Sequence, residues 1–395
     1  MKYEDLINKV SLENLYRHLI SIEGIRHPID YPEGLDYTAN YILNEFKKYG
    51  LKTNEDTFML EGSNAVFRNI EGTQGSEKEK QLLISCHYDT DSISPGANDN
   101  GSGIAGMLEI ARVLANNKTD MNIKFIAFIL EEEHPVLQIK LRELLWNSGL
   151  VDDHFNFYSY HTLNVLNEFD ALREKGIQQG LTLAQAWKSA QKQLTTKLTD
   201  KEKNYLNKLW ELHKHITRLN WIGESICVGS TQWVKNNIAK KEKILGLLNL
   251  EEIGYISNKK NSQDYPAGIE PLEYEGYRIN KDEHIGNFIG IFADKNSKFL
   301  ADRFCASCKL SAIDLPYHNI QVSQNYDEIA QNTIDLLRSD HAPFWRARIP
   351  AISITDTFEF RYPFYHSSAD TIEHINFNFV KKVVQATLVT ILEII

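Results

Sequence analysis

The chain has 395 residues, 42% of them hydrophobic and 11% aromatic, which is enough for a sizeable core, and its formal net charge is −10. That acidic balance, with no basic cluster interleaved with aromatics, excludes nucleic acid and anionic membrane surfaces as partners. Four cysteines in this length do not make a disulfide scaffold.

The N-terminus, M-K-Y-E-D-L-I-N-K-V, carries early acids and no continuous apolar stretch, so it does not read as a signal peptide. Residues 1–49 read as helical, with an apolar repeat through Leu12, Leu15 and Leu19 and then Tyr41, Ile42 and Phe46. Gly50 caps the second helix. A strand pair follows at Thr53–Phe58 and Ala65–Ile70, then a polar turn from Glu71 to Gln81. The apolar runs Leu82–Ile84, Ile123–Leu130 and Ile244–Leu250 read as buried parallel strands, with a helix from Gly103 to Asn116 between the first two. Residues 135–226 read as a helical insertion. Its helices are Val136–Trp146 with a stop at Gly149, Tyr160–Lys175 ending at Gly176, and Thr182–Leu198. A capping box from Thr199 to Glu202 opens a further helix to Leu219. Residues 257–285 are polar, hold Pro266, Gly268, Pro271 and Gly276, and read as a long surface loop from which Tyr277 or His284 could reach a substrate. Phe379–Ile395 reads as a final amphipathic helix; Lys381, Lys382, Gln385 and Glu393 interrupt its apolar run, so no membrane span is expected. The expectation is a soluble, cytoplasmic protein.

The fold class expected is α/β: three α/β/α layers around a mixed, mostly parallel sheet. Without the insertion roughly 300 residues remain, a plausible single domain. Cys305 and Cys308 form a C-x-x-C without a second one, so they are expected to share a helix face or flank a turn rather than hold zinc. Cys86 reads as a small buried hydrophobe.

The chemistry lies where the strands end. His87 and Asp89 sit in S-C-H-Y-D at 85–89, Asp99 in G-A-N-D-N-G-S-G at 96–103, and Glu131 and Glu132 close the run from Phe125. Glu251 sits in N-L-E-E-I-G-Y at 249–255 and His366 in R-Y-P-F-Y-H at 361–366. Each segment alone has an ordinary explanation as a turn, a solvated helix start or a loop histidine. Together they place acids and imidazoles along the carboxyl edge of one sheet, where open α/β sheets bind ligands. Two neutral imidazoles and three carboxylates give a mixed N/O shell that suits zinc, with Co²⁺ or Mn²⁺ as substitutes. Two such cations need a bridging carboxylate, lower the pKa of a shared water and clamp an attacked carbonyl. Of the adjacent Glu131 and Glu132, one can ligate while the other moves the water's proton.

These stretches, with G-S-T-Q-W-V at 229–234, G-N-F-I-G at 286–290, S-D-H-A-P-F-W at 339–345 and Y-H-S-S-A-D-T at 365–371, resemble the zinc exopeptidases of metallopeptidase family 28. That family includes aminopeptidases, glutamate carboxypeptidases and, more distantly, glutaminyl cyclases. The resemblance implies two Zn²⁺ per chain, with Asp99 bridging, His87 and Glu251 completing one site, and Glu132 and His366 the other. It implies Glu131 as general base, Asp89 as the residue holding the His87 ring, and Tyr365 as a donor to the oxyanion. It departs from many members in having Glu251 rather than Asp; Glu252 is the alternative ligand, but alternation along a strand turns it away. In the family a Gly-Ser follows the acidic pair within a few residues, whereas here Gly229-Ser230 follows only after the insertion. An insertion tethered there is expected to be a lid or wall, or a contact for a homo-oligomer. The function implied is hydrolysis of terminal peptide or aminoacyl-amide bonds by metal-bound hydroxide, in first place as an aminopeptidase. A carboxypeptidase or dipeptidase, for which Arg361 is the hint, and a mono-zinc glutaminyl cyclase are the alternatives. Asp340 and His341 are expected near the site as a loop-bracing pair. His27, His154, His161, His213, His215 and His374 are expected on surfaces or helices.

Overall fold

The apolar runs do form strands, and their alternating side chains build two cores. The computed structural model describes residues 3–75, 80–115, 122–240 and 243–394. Among the described residues nine strands make one sheet: β1 (Lys52–Met59), β2 (Val66–Gln74), β3 (Gln81–His87), β4 (Ile123–Phe128), β5 (Ile244–Glu251), β6 (Glu275–Tyr277), β7 (Ile289–Ala293), β8 (Tyr317–Gln321) and β9 (Ala351–Thr355). Their order is β1-β2-β4-β3-β5-β9-β7-β8-β6. The central β4-β3-β5-β9 are parallel neighbours, as are β7 and β8. Antiparallel pairings flank them.

Successive residues of a strand face opposite ways. Leu82, Ile84 and Cys86, Phe125 and Ala127, and Leu248 and Leu250 join one core with Leu19, Ile104, Leu108 and Val384. Leu83, Ile126, Phe128 and Leu247 join the other with Trp233, Phe344 and Ile329. The helices Leu12–Ile22, Gly103–Ala115 and Phe377–Ile394 therefore cover one face, and Val228–Lys240, Tyr326–Asn332 and Ala342–Arg346 the other. This is the three-layer α/β/α arrangement expected. No helix among the described residues is long and apolar enough to cross a membrane.

Several boundaries differ from the sequence reading. The N-terminal part holds three helices, Tyr3–Ile7, Leu12–Ile22 and Pro32–Lys48, the third opened by a proline at its first position. Gly50 follows it at φ 79°, as a C-cap requires. β2 runs on to Gln74 where a turn was expected, because Glu71 is a buried partner rather than a turn acid. It accepts from Trp233 Nε1 at 2.6 Å and from Asn54 Nδ2 at 2.8 Å. Residues 76–79 of the expected turn, and Asn116 at the expected helix end, lie outside the described residues. β4 ends at Phe128, and Leu130 turns the chain at φ 59°. The loop at 257–285 contains the edge strand β6, so Tyr277 pairs with Tyr317 at the far side of the sheet. His284 packs on Tyr265. Neither reaches the site expected for them.

Residues 135–226 form helices Pro135–Asn147, Tyr160–Gln178, Leu183–Gln193, Asp200–His213 and a short turn at Trp221–Glu224. Capping boxes at Thr182/Gln185 and Thr199/Glu202 open the third and fourth. Gly180, not Gly176, closes the second, and the fourth stops at His213. Phe169, Trp187, Ala190, Leu194 and Leu206 give this segment a core of its own.

Candidate active site

The carboxyl ends of β3, β4 and β5 bring the predicted residues together. His87 is the last residue of β3 and Glu251 the last of β5, in neighbouring parallel strands. Glu131 and Glu132 follow the Leu130 turn after β4. Asp99 lies in the irregular turn before helix Gly103–Ala115, and its loop is pinned from both sides. Asp370 accepts from the backbone N–H groups of Asn98 (2.8 Å) and Asp99 (3.1 Å). Asn100 donates to the Leu250 carbonyl at 2.9 Å and accepts from Glu252 N at 3.1 Å. Arg26, fully buried, donates to the carbonyls of Tyr88, Pro95 and Gly96, fixing the stretch between His87 and Asp99.

Two triads result, and Asp99 belongs to both. His87 Nε2 lies 3.0 Å from Glu251 Oε1 and 3.2 Å from Asp99 Oδ1. His366 Nε2 lies 2.9 Å from Glu132 Oε2 and 3.2 Å from Asp99 Oδ2. His87, Glu131 and Glu132 also offer atoms within 4.8 Å of one another, so Glu131 reaches the space between the triads.

Asp89 lies beneath this set with two tasks. Its backbone carbonyl is 3.2 Å from His87 Nδ1 and its carboxylate 3.6 Å. The same carboxylate accepts from the backbone N–H of Glu131 (3.2 Å) and Glu132 (3.1 Å). It thus orients a ring and the acidic pair together, a second role that the sequence reading did not anticipate. Glu251 is fixed from behind by a chain of hydrogen bonds: Asn249 donates to Ser339 Oγ (2.7 Å), and Ser339 donates to Glu251 Oε2 (2.6 Å).

The electrostatics of the set follow from its burial and its mutual contacts. Burial disfavours the ionised carboxyls and pushes Glu131 well above its ordinary range and Glu132 up to about 7. Burial alone would lower His366, yet Glu132 and Asp99 push it up to about 12. His366 Nε2 touches two carboxylates without making a hydrogen bond to either, and Glu132 Oε1 is buried without a partner. Imidazole nitrogens and carboxylate oxygens converging in this way suit divalent cations with mixed N/O coordination. His87, Asp99 and Glu251 place ligand atoms within 4.8 Å of one another, and so do Asp99, Glu132 and His366, so each group could hold a metal ion.

The cavity over these groups has a volume of about 100 Å³. Trp221 and Ile226 of the insertion, with Phe358, Tyr365 and Arg338, line it together with the acids. The Tyr365 ring stacks on His366 at 3.8 Å, and its Oη accepts from Arg338 at 3.0 Å, which leaves the phenolic proton available to a ligand. Arg361 does not line the cavity: it is buried and donates to Gln263 and the Phe288 carbonyl. Asp340 is buried near the site and pushed up to about 8 by that burial; His341 bonds the Leu336 carbonyl at 2.8 Å instead of Asp340. Cys305 and Cys308 are buried on the last turn of helix Lys298–Cys308, and Cys86 is buried beside His87.

Sequence reasoning missed several contributors. His27 is a buried ring hydrogen-bonded to Glu133, next to the acidic pair, not a surface residue. Arg338 adjoins the Ser-Asp-His segment and was passed over. Trp221 lies near the end of the insertion. Cys227 Sγ lies 3.4 Å from Glu131 Oε1, and its N–H donates to the Glu131 carbonyl at 2.8 Å. The doublet Glu251-Glu252 was visible, but the left-handed backbone at Glu252 (φ 47°) defeats strand alternation and brings both residues to the cavity.

The family model described as Peptidase family M28 matches residues 66–193 and 310–391, more than half of the chain. The protein belongs to peptidase family M28. A stretch of 73 residues is 45% identical to aminopeptidase YwaD of Bacillus subtilis, covering 18% of this chain and 16% of that protein. YfbL of Escherichia coli, an uncharacterized protein, is 23% identical over 385 residues, 95% of this chain and 85% of its own. The fold is shared with the LapA aminopeptidase of Legionella pneumophila at a TM-score of 0.58 and 15% identity, over 99% of this chain and 74% of that one. It is shared equally with a glutaminyl cyclase of Porphyromonas gingivalis, at 0.56 and 16%, over 98% and 100%. M28 peptidases are zinc-dependent, in keeping with the donor set described above.

Proposed function

We propose that this M28 protein is a dinuclear zinc aminopeptidase, and the observation that carries the reading is the sharing of Asp99 between two His-carboxylate triads. Zinc bound there, or Co²⁺ or Mn²⁺ in its place, would supply an acidic water and a Lewis acid for the scissile carbonyl. The remaining work falls to side chains of the chain itself. Glu131 takes the water's proton and returns it to the departing amine. Asp89 holds Glu131, Glu132 and His87 in their mutual positions. Tyr365 donates to the oxygen that becomes negative, with Arg338 fixing the phenol from behind.

The choice of an amino over a carboxyl terminus rests on the lining. Arg338 is the cation that lines the cavity, and it is already engaged by Glu359 and Tyr365. Arg361, the candidate for a substrate carboxylate, is turned away. Zinc-loaded protein is expected to cleave a peptide with a free amine and an amidated C-terminus, and to leave its N-acetylated, free-carboxylate counterpart intact. Cleavage of only the second peptide would make it a carboxypeptidase. A metal content of one per chain would bring the cyclase reading forward.

In this reading the 135–226 insertion is a wall of the site, because Trp221 and Ile226 close one side of the cavity. Its separate core makes it removable. Replacing residues 138–224 with a short linker is expected to change substrate preference or oligomeric state and to leave metal binding intact. Unchanged kinetics and mass in that variant would count against a wall or contact role.

A further inference from the structure

Glu252 is the carboxylate of the cavity for which the proposed reaction has no task. Five carboxylates line the space: Asp99, Glu131, Glu132, Glu251 and Glu252. Three belong to the triads and Glu131 serves as base. Glu252 is fully buried and held from one side only. Its Oε2 accepts from Asn98 Nδ2 at 3.0 Å. The Asn98 amide is itself anchored, to Asp356 Oδ2 at 2.9 Å and by Gly254 N at 3.0 Å. Oε1 of Glu252 has no hydrogen-bond partner among the described residues. A buried carboxylate oxygen left unpaired is rare in folded proteins and points to a ligand.

Charge says which ligand. Arg338, the arginine among the lining residues, is already paired with Glu359 and Tyr365, so it is not free to pair with Glu252. Glu252 lines the cavity beside Glu251, and a cationic donor is the partner that suits its unpaired oxygen. We infer that Glu252 Oε1 receives the free α-ammonium of the substrate, making Glu252 the residue that selects a peptide with an unblocked N-terminus. This rests on the aminopeptidase reading. The left-handed backbone at Glu252, φ 47°, breaks the strand alternation that would set this side chain away from Glu251 and the cavity.

The test is Glu252→Gln, which keeps shape and removes charge. Zinc content, Tm and steady-state kinetics are measured on the free-amine peptide and its N-acetylated counterpart. A charge-assisted hydrogen bond lost here raises KM for the free-amine peptide by about tenfold to a hundredfold. With zinc content and Tm as in the unmodified protein, discrimination against the acetylated peptide falls by the same factor. Glu252→Asp keeps the charge one methylene further back and is expected to raise KM only a few-fold; it also serves if the Gln variant does not fold. An unchanged KM in a folded, zinc-loaded variant overturns the assignment, as does loss of a zinc ion, which would place Glu252 among the metal ligands. Cleavage of only the acetylated peptide by the unmodified protein overturns the aminopeptidase reading itself, before any variant is made.

Discussion

Glu131→Gln is expected to lower kcat by about a thousandfold while both metal ions stay bound. The substitution is nearly isosteric, and the backbone of residue 131 is held independently of its side chain. Its N–H donates to Asp89 and its carbonyl accepts from Cys227 N. A glutamine keeps an oxygen for the Cys227 thiol but cannot take a proton from water. A thousandfold corresponds to about 4 kcal/mol in the barrier, within reach of one general base. Steady-state kinetics alongside elemental analysis of bound zinc separate the outcomes. Activity within about tenfold of the unmodified protein would move the proton transfer to another group. Loss of zinc would mean that Glu131 is itself a ligand, an arrangement for which its approach to His87 and Glu132 leaves room.

The site was legible in the sequence because its ligands end strands. β3 and β5 are mostly apolar and stop in His87 and Glu251, and parallel pairing brings the two chain ends side by side. Turn residues surround Asp99, and the role expected of His366 came from the resemblance of its segment. The residues that escaped act across long sequence distances or against local rules. Arg26 and Asp370 are 344 positions apart in the numbering and meet only around the Asp99 loop. His27 is in a polar loop, and only the fold sets Glu133 beside it. Trp221 belongs to an insertion whose own periodicity says nothing of which end faces the candidate ligands. β2 was cut short because a glutamate in a strand reads as surface until Trp233 and Asn54 are seen to bond it.

Asp99→Asn is expected to remove both metal ions, and it tests the shared carboxylate more directly than loss of either histidine. Each oxygen of Asp99 faces a different imidazole, at 3.2 Å in both cases. An amide offers one neutral oxygen to one site and an NH₂ to the other, so one cation loses a ligand and meets a donor, while the second loses the anionic bridge. The change should not unfold the protein, because Asp370 and Asn100 hold this loop through backbone groups that the substitution leaves in place. Activity is expected to fall by at least about a thousandfold. Stability gives an independent reading. A ligand that binds only the folded state stabilises it by about 2.7 kcal/mol at a hundred times its Kd. Adding a chelator should therefore lower the Tm of the unmodified protein and leave that of Asp99→Asn unmoved. If the variant still carries two zinc ions and loses Tm on chelation as the unmodified protein does, Asp99 is not the bridge. The two histidines would then belong to separate sites whose third ligand must be sought among Glu131 and Glu252.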